Sequence, residues 1–340
     1  MKWDSTEIVI IKRNKLIMQV QSRNILFVIA KIAAVLISLL YIGYHIESRA
    51  ALIHDSERLL NSLTTGNSRY WIAVSLILML VNYSLETQKW RLLASSIESI
   101  SFLKAIRSVF TGTTISFFTP NRVGEFAGRI LHLGEGHRIR GALAAFVGSS
   151  AQLLVTIQAG FIALLFYTPT ILQLNQITII LLQIAIVVSV VFLIIGCFRV
   201  PKLSLLFEKI EWLKKYNNFG EVFSHFHKRE LAITYLYSLL RYLVFCSQQY
   251  LLFKAFLIDI DYVTCLKLSA ISFLVITLVP SIALGELGVR GGINLVVFAT
   301  VTNDSAAILI STFSLWCINL ALPALLGSFS LLYIRFGKVE

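Results

Sequence analysis

The stretch Thr119-Pro120-Asn121-Arg122-Val123-Gly124-Glu125-Phe126-Ala127-Gly128-Arg129 is polar, charged and broken by Pro and Gly, inside a chain that is otherwise membrane-like. It has an echo downstream. Pro280-Ser281-Ile282-Ala283-Leu284-Gly285-Glu286-Leu287-Gly288-Val289-Arg290 repeats the order Pro, then Gly-Glu, then Arg four residues after the Glu. The remainder of the chain has the composition of a scaffold that holds two such segments.

That composition is 57% hydrophobic and 14% charged over 340 residues, with a mean hydropathy of +0.78. A soluble domain carries about 25% charged residues, so an integral membrane protein is expected. The net charge of +12 does not indicate nucleic acid, because the basic residues lie at the ends of apolar runs without interleaved stacking aromatics. They fit membrane topology and anionic lipid head groups. Cys197, Cys246, Cys265 and Cys317 fall singly within apolar segments, so neither a disulfide framework nor a CxxC motif is available. No histidine pair has metal-ligand spacing, and no cofactor motif is present; no cofactor and no metal are expected.

A bilayer-spanning helix needs about 20 apolar residues. Six segments meet or approach this: Ile25 to Tyr44, Tyr70 to Gln88, Ala142 to Tyr167, Ile171 to Phe198, Leu231 to Leu257, and Ala306 to Ile334. The first lacks a small-residue cleavage site and is expected to be retained. Two further apolar stretches, Ile97 to Phe118 and Leu266 to Val279, run straight into the charged motifs. A polar break at membrane depth is tolerated where protein or a wet cavity satisfies the freed backbone groups. Each stretch is therefore expected to be one arm of a re-entrant hairpin, with return arms at Val123 to Leu133 and Gly291 to Thr300. Lys89-Trp90-Arg91 has the look of an interfacial anchor.

The expected fold is an all-α polytopic membrane protein with about six full spans and two re-entrant helical hairpins. With a cytoplasmic N-terminus, the inner segments 1 to 24, 89 to 140, 199 to 229 and 335 to 340 hold 22 of the 30 Lys and Arg residues, as the positive-inside rule requires. Each half, 25–167 and 171–334, runs span, span, hairpin, span, so the second half begins on the opposite side. The halves form inverted repeats whose Gly-Glu motifs meet near mid-membrane, a construction associated with secondary transporters. The domain reading is a cytoplasmic segment 1–24, one transmembrane domain 25–335, and a tail 336–340.

Glu125 with Arg129 and Glu286 with Arg290 are i, i+4 pairs if locally helical. Either pair could simply neutralise itself at an interface. An ionisable group at membrane depth, however, costs about 2.5–3.5 kcal/mol on insertion scales and usually marks a ligand or ion path. Gly124, Gly128, Gly285 and Gly288 permit positive φ and close backbone approach, although Gly in membrane helices is also a packing residue. Pro120 and Pro280 end the incoming arms. The guanidinium groups of Arg122, Arg129 and Arg290 suit a phosphate. On the fifth span, Thr234, Ser238, Arg241, Phe245 and Gln248 share a helical face; Arg241 needs a partner unless it snorkels, and Asn82 and Glu86 are candidates.

No GxSxG elbow, P-loop or GxGxxG motif is present. The polar segment Arg199 to Arg229 is too short for a nucleotide-binding domain. ATP-driven transport within this chain is not expected.

Phe118-Thr119-Pro120-Asn121-Arg122-Val123-Gly124-Glu125, the preceding Lys89-Trp90-Arg91-Leu92-Leu93, and Pro280 with Gly285-Glu286-Leu287-Gly288-Val289-Arg290 resemble the flippase-like family typified by the membrane domain of lysylphosphatidylglycerol synthase, the multiple peptide resistance factor. The likeness spans about residues 25 to 335. It implies a bacterial inner-membrane protein that moves lipids between leaflets. The family's second motif usually runs Gly-Gly-Leu-Gly-x-Arg-Glu, whereas Glu286 stands at the second Gly and Gly291 at the final Glu. With the sequence ending at Glu340, synthesis of lysylphosphatidylglycerol by this chain is not expected. Charged hairpins meeting at mid-membrane, taken with the resemblance, lead to the expectation of an anionic phospholipid or lipid-linked precursor as substrate, with Arg122, Glu125, Arg129, Arg241, Glu286 and Arg290 as its binding residues. The alternatives are a membrane-embedded enzyme acting on a polyprenyl-phosphate or phospholipid, with Glu125 or Glu286 as general base, and a non-catalytic partner of a lipid synthase.

Overall fold

A computed structural model describes residues 66–119, 122–171, 175–197, 199–203, 205, 217–279 and 283–331. The expected first span, Ile25 to Tyr44, and both prolines, Pro120 and Pro280, lie outside these. Among the described residues the chain is helical, with no strand. The order is α1 (Gly66–Ser95), α2 (Phe102–Phe117), α3 (Gly124–Ile130), α4 (Arg138–Ile171), α5 (Gln176–Cys197), α6 (Asn217–Ser224), α7 (Lys228–Ala255), α8 (Tyr262–Leu278), α9 (Ala283–Phe298), α10 (Ser305–Trp316) and α11 (Leu322–Leu331).

Four helical stretches in the described residues are long and apolar enough to cross a membrane: Gly66–Ser95, Glu135–Phe166, Gln176–Gly196 and Ser305–Ser330. The expected span at Leu231 to Leu257 is the 28-residue α7. It is long enough, but Arg241, Gln248, Gln249 and Lys254 dilute its apolar character. Helix starts follow side-chain chemistry: Ser101, Asp261 and Asp304 each accept a backbone N–H from the first turn of α2, α8 and α10. A capping box formed by His227 and Glu230 opens α7.

Packing centres on α1 against α7, with α2 against α3 and α11, and α8 against α4. The core joins Trp90, Leu93, Leu252, Phe253, Phe298 and Ile308 with the small residues Ala94, Ala105, Ala144, Ala145 and Ala307. Small residues let helix backbones approach where lipid supplies no hydrophobic drive. One close approach is α2 on α3: a Cβ at Gly128 would stand 2.5 Å from the Gly112 Cα. Gly124 to Arg129 lies in α3, inside the arm expected at Val123 to Leu133, whereas Gly285 to Arg290 lies inside α9, so the helix expected from Gly291 already begins at Ala283.

Candidate functional site

Residue depth sets the chemistry. Arg241 lies about 20 Å from either end of α7 at 1.5 Å per residue, and Glu86 lies about 14 Å from the end of α1. Neither is placed to reach head-group water by itself. They answer each other instead. Arg241 donates to Glu86 through Nη1 and to Asn82 Oδ1 through Nε at 2.7 Å, the partners expected from sequence. The snorkelling alternative is not what the helix adopts.

Glu86 also accepts from Lys89 Nζ at 2.8 Å and from Arg129 Nη2 at 2.6 Å. Arg129 in turn donates to Glu125 one helical turn earlier. Its side chain is 1% exposed, so the self-neutralising surface pair does not describe it. The Arg129 Cζ stands 5.6 Å from the centre of the Trp90 ring, and its backbone carbonyl accepts from Ser108 Oγ at 2.8 Å, pinning α3 to α2. Lys89 and Trp90 are 1% and 0% exposed. The interfacial-anchor expectation is corrected for both: inside the protein, Lys89 is a counter-ion and Trp90 a cation-π surface, while Arg91 is exposed.

The second cluster joins the two motifs. Arg122 Nη2 donates to both carboxylate oxygens of Glu286, at 3.0 and 2.9 Å, and Nε adds a contact at 3.3 Å. Arg290 Nε donates to the same carboxylate at 2.8 Å. Among the described residues no glycine adopts the positive φ that the sequence left open to it. Arg122 does, with φ 58°, a conformation costing a non-Gly residue about 1–2 kcal/mol. Gly124, like Gly128, serves close approach: a Cβ at Gly124 would stand 2.7 Å from the Ile115 carbonyl oxygen. Gly285 and Gly288 lie within α9.

The clusters share a cavity of about 300 Å³, lined by Glu86, Lys89, Arg122, Glu125, Arg241 and Arg290. Glu286 and Arg129 bond to lining side chains. All six residues expected from sequence therefore converge, and Pro120 and Pro280 lie outside the described residues. Of the fifth-span stripe, Phe245 reaches the cavity, whereas Thr234, Ser238 and Gln248 are buried. Sequence reasoning missed Lys89, Tyr83, Gln152 and Asn319, which also line it. Asn319 sits in a π-helical turn, Cys317–Ala321, of a kind frequent at functional sites. Its side chain accepts from Asn82 at 3.2 Å and its carbonyl from Tyr83 at 2.9 Å. The available signal for Asn319 was a lone amide in an apolar run; Gln152 shares its helix with Gln158 and had no such distinction.

These features define a helical integral membrane protein whose ion pairs surround a cavity lined by charged, polar and apolar side chains. More narrowly, the chain belongs to the lysylphosphatidylglycerol synthase TM region family, whose sequence model matches residues 20–327. A search of curated proteins gave no match.

Proposed function

We propose that the protein moves an anionic phospholipid or lipid-linked precursor between leaflets of the bacterial inner membrane, with both termini cytoplasmic. In this reading six spans and two re-entrant hairpins form one domain, 25–335, of inverted halves 25–167 and 171–334. Arg122, Glu125, Arg129, Arg241, Glu286 and Arg290 handle the head group, and the chain is a transporter without synthase chemistry.

The observation that carries the reading is the Arg122 to Glu286 ion pair on a cavity with excess positive charge. It joins two residues 164 positions apart, one from each motif segment, as inverted hairpins meeting at mid-membrane would require. Membership of a family described as a lipid synthase's transmembrane region supports a lipid substrate. Buried charges retained despite their insertion cost support a polar path.

The test is reconstitution of the purified protein in liposomes carrying a labelled anionic lipid. Glu286→Gln and Arg290→Ala are expected to slow translocation. Unchanged rates with both variants sink the assignment, and a covalently altered lipid in the extract would turn the reading towards an enzyme.

A further inference from the structure

The charges around the cavity fall into two clusters, each with the same imbalance. At the first, the Glu286 carboxylate is shared by Arg122 and Arg290. Two cations on one anion leave one positive charge. At the second, Glu86 and Glu125 face Lys89, Arg129 and Arg241. Three cations on two anions again leave one. Among the described residues, the cavity lining adds no other ionisable carboxylate or cation. Uncompensated charge held out of water is costly, so the occupant that completes this site brings two negative charges.

We infer that the cavity takes a lipid head group with two negative charges on phosphoryl oxygens, as a phosphomonoester or a diphosphate diester provides. The inference rests on the lipid-transport reading of the same cavity and narrows its substrate. A phosphomonoester carries about −1.5 to −2 at pH 7, and a diphosphate diester carries one charge on each phosphorus. A phosphodiester such as phosphatidylglycerol has one charge and leaves one cationic cluster unmatched. Lysylphosphatidylglycerol, with a net positive head group, adds to the excess. The excess is held largely on guanidinium forks, whose planar donors match phosphate oxygens in bidentate fashion. Thr113, Gln152 and Thr156 on the same lining supply neutral hydroxyl and amide groups for the rest of the head group. Because the two excess charges belong to different clusters, a phosphomonoester would divide its oxygens between them. A diphosphate could give one phosphoryl group to each.

The test uses the purified full-length protein in detergent and four lipids with identical acyl chains. These are phosphatidic acid, CDP-diacylglycerol, phosphatidylglycerol and lysylphosphatidylglycerol, with binding read by native mass spectrometry in direct competition. Both doubly charged lipids are expected to bind at least about tenfold tighter than phosphatidylglycerol, with lysylphosphatidylglycerol weakest. Their mutual order separates the monoester source from the diphosphate source. Equal binding of phosphatidylglycerol, tightest binding of lysylphosphatidylglycerol, or no lipid bound would overturn the inference. Two variants of opposite charge guard against a folding artefact. Arg290→Gln removes one positive charge and is expected to shrink the preference to a few-fold, while Glu125→Gln adds one and is expected to keep or widen it. If both variants weaken binding alike, charge matching is wrong. Loss of translocation with the binding order intact defeats the transport reading alone; a reversed order with translocation intact defeats only this inference.

Discussion

Arg122 and Glu286 close the gap between the two Gly-Glu motifs with a guanidinium that contacts both carboxylate oxygens, through Nη2 at 3.0 and 2.9 Å and Nε at 3.3 Å. Arg122 is 39% exposed and Glu286 10%, so the partners are not equivalent. Removing Glu286 leaves Arg122 and Arg290 facing each other, whereas removing Arg122 leaves Glu286 still paired with Arg290.

Glu286→Gln is therefore expected to destabilise the protein more than Arg122→Gln does, by roughly 1–3 kcal/mol against less than about 1. The double variant should show a coupling of about 0.5–3 kcal/mol. Thermal unfolding in detergent across the four proteins checks this. Strict additivity would mean that the bridge contributes nothing to stability.

The α2 and α3 crossing gives a steric prediction. Gly128→Ala would push a methyl carbon to 2.5 Å from the Gly112 Cα and 2.6 Å from its nitrogen. Both are backbone atoms and cannot rotate away. A loss of about 1–3 kcal/mol is expected from overpacking, with translocation impaired because α3 carries Glu125 and Arg129. Gly136→Ala, whose Cβ would meet open space, should stay within about 0.5 kcal/mol. Equal unfolding temperatures for the two variants would refute the close packing.

How much of this was legible depends on what each residue's role required. Arg241, Glu286 and Arg290 could be picked out because an ionisable group inside an apolar run is costly wherever the chain folds. Asn82 and Glu86 were candidates for Arg241 because the second span occupies in the first half the place that the fifth span occupies in the second. Lys89 was not legible, since Lys-Trp-Arg at a helix end has the composition of a membrane anchor. Its partner Glu86 is one turn away on the same helix, but the burial of that carboxylate between Arg129 and Arg241 is tertiary. The pairing of Arg122 with Glu286, and the left-handed backbone at Arg122, are tertiary facts with no local signature. Local sequence left the motif glycines a choice between positive φ and close packing, which only the tertiary contacts decide. On α2, Leu103 is exposed whereas Ala105, Ser108, Val109 and Gly112 are buried, because small residues rather than large ones face the partner helices.

Outside the spans, the connection between α1 and α2 carries a pH-sensitive contact. Glu98 accepts from Lys104 Nζ at 2.6 Å and from the Gly134 backbone N–H at 2.8 Å. The Lys104 hydrogen bond, followed by that from Gly134, holds its carboxyl below the usual glutamate range. A carboxylate depressed in the folded state adds stability above its unfolded value, about 4.3, and loses it as pH falls through the folded value. Solvent access limits the effect to a few tenths of a kcal/mol. Glu98→Gln is expected to lower stability slightly at pH 7 and to flatten the acid limb of the stability profile below about pH 4. A variant whose acid limb keeps the parent slope would show that the contact is not formed.

The deepest dependence lies at Glu86. Three cations, Lys89, Arg129 and Arg241, converge on this one carboxylate, and its side chain is 4% exposed. Glu86→Gln would leave them with Glu125 alone. Breaking a buried ion pair from one side costs about 3–5 kcal/mol because the remaining charge has no solvent to turn to. The expected outcome is the largest destabilisation of any single charge removal considered, sufficient to lower the yield of folded protein. If charge balance is the cause, deleting one of the stranded cations must help. Lys89→Met in the Glu86→Gln background should recover about 1 kcal/mol or more, because methionine keeps much of the buried stem and sheds the ammonium. The same substitution in the parent is expected to destabilise. A double variant no more stable than Glu86→Gln alone would mean that Glu86 acts through its hydrogen-bond geometry with Arg241 and Arg129, not through its charge.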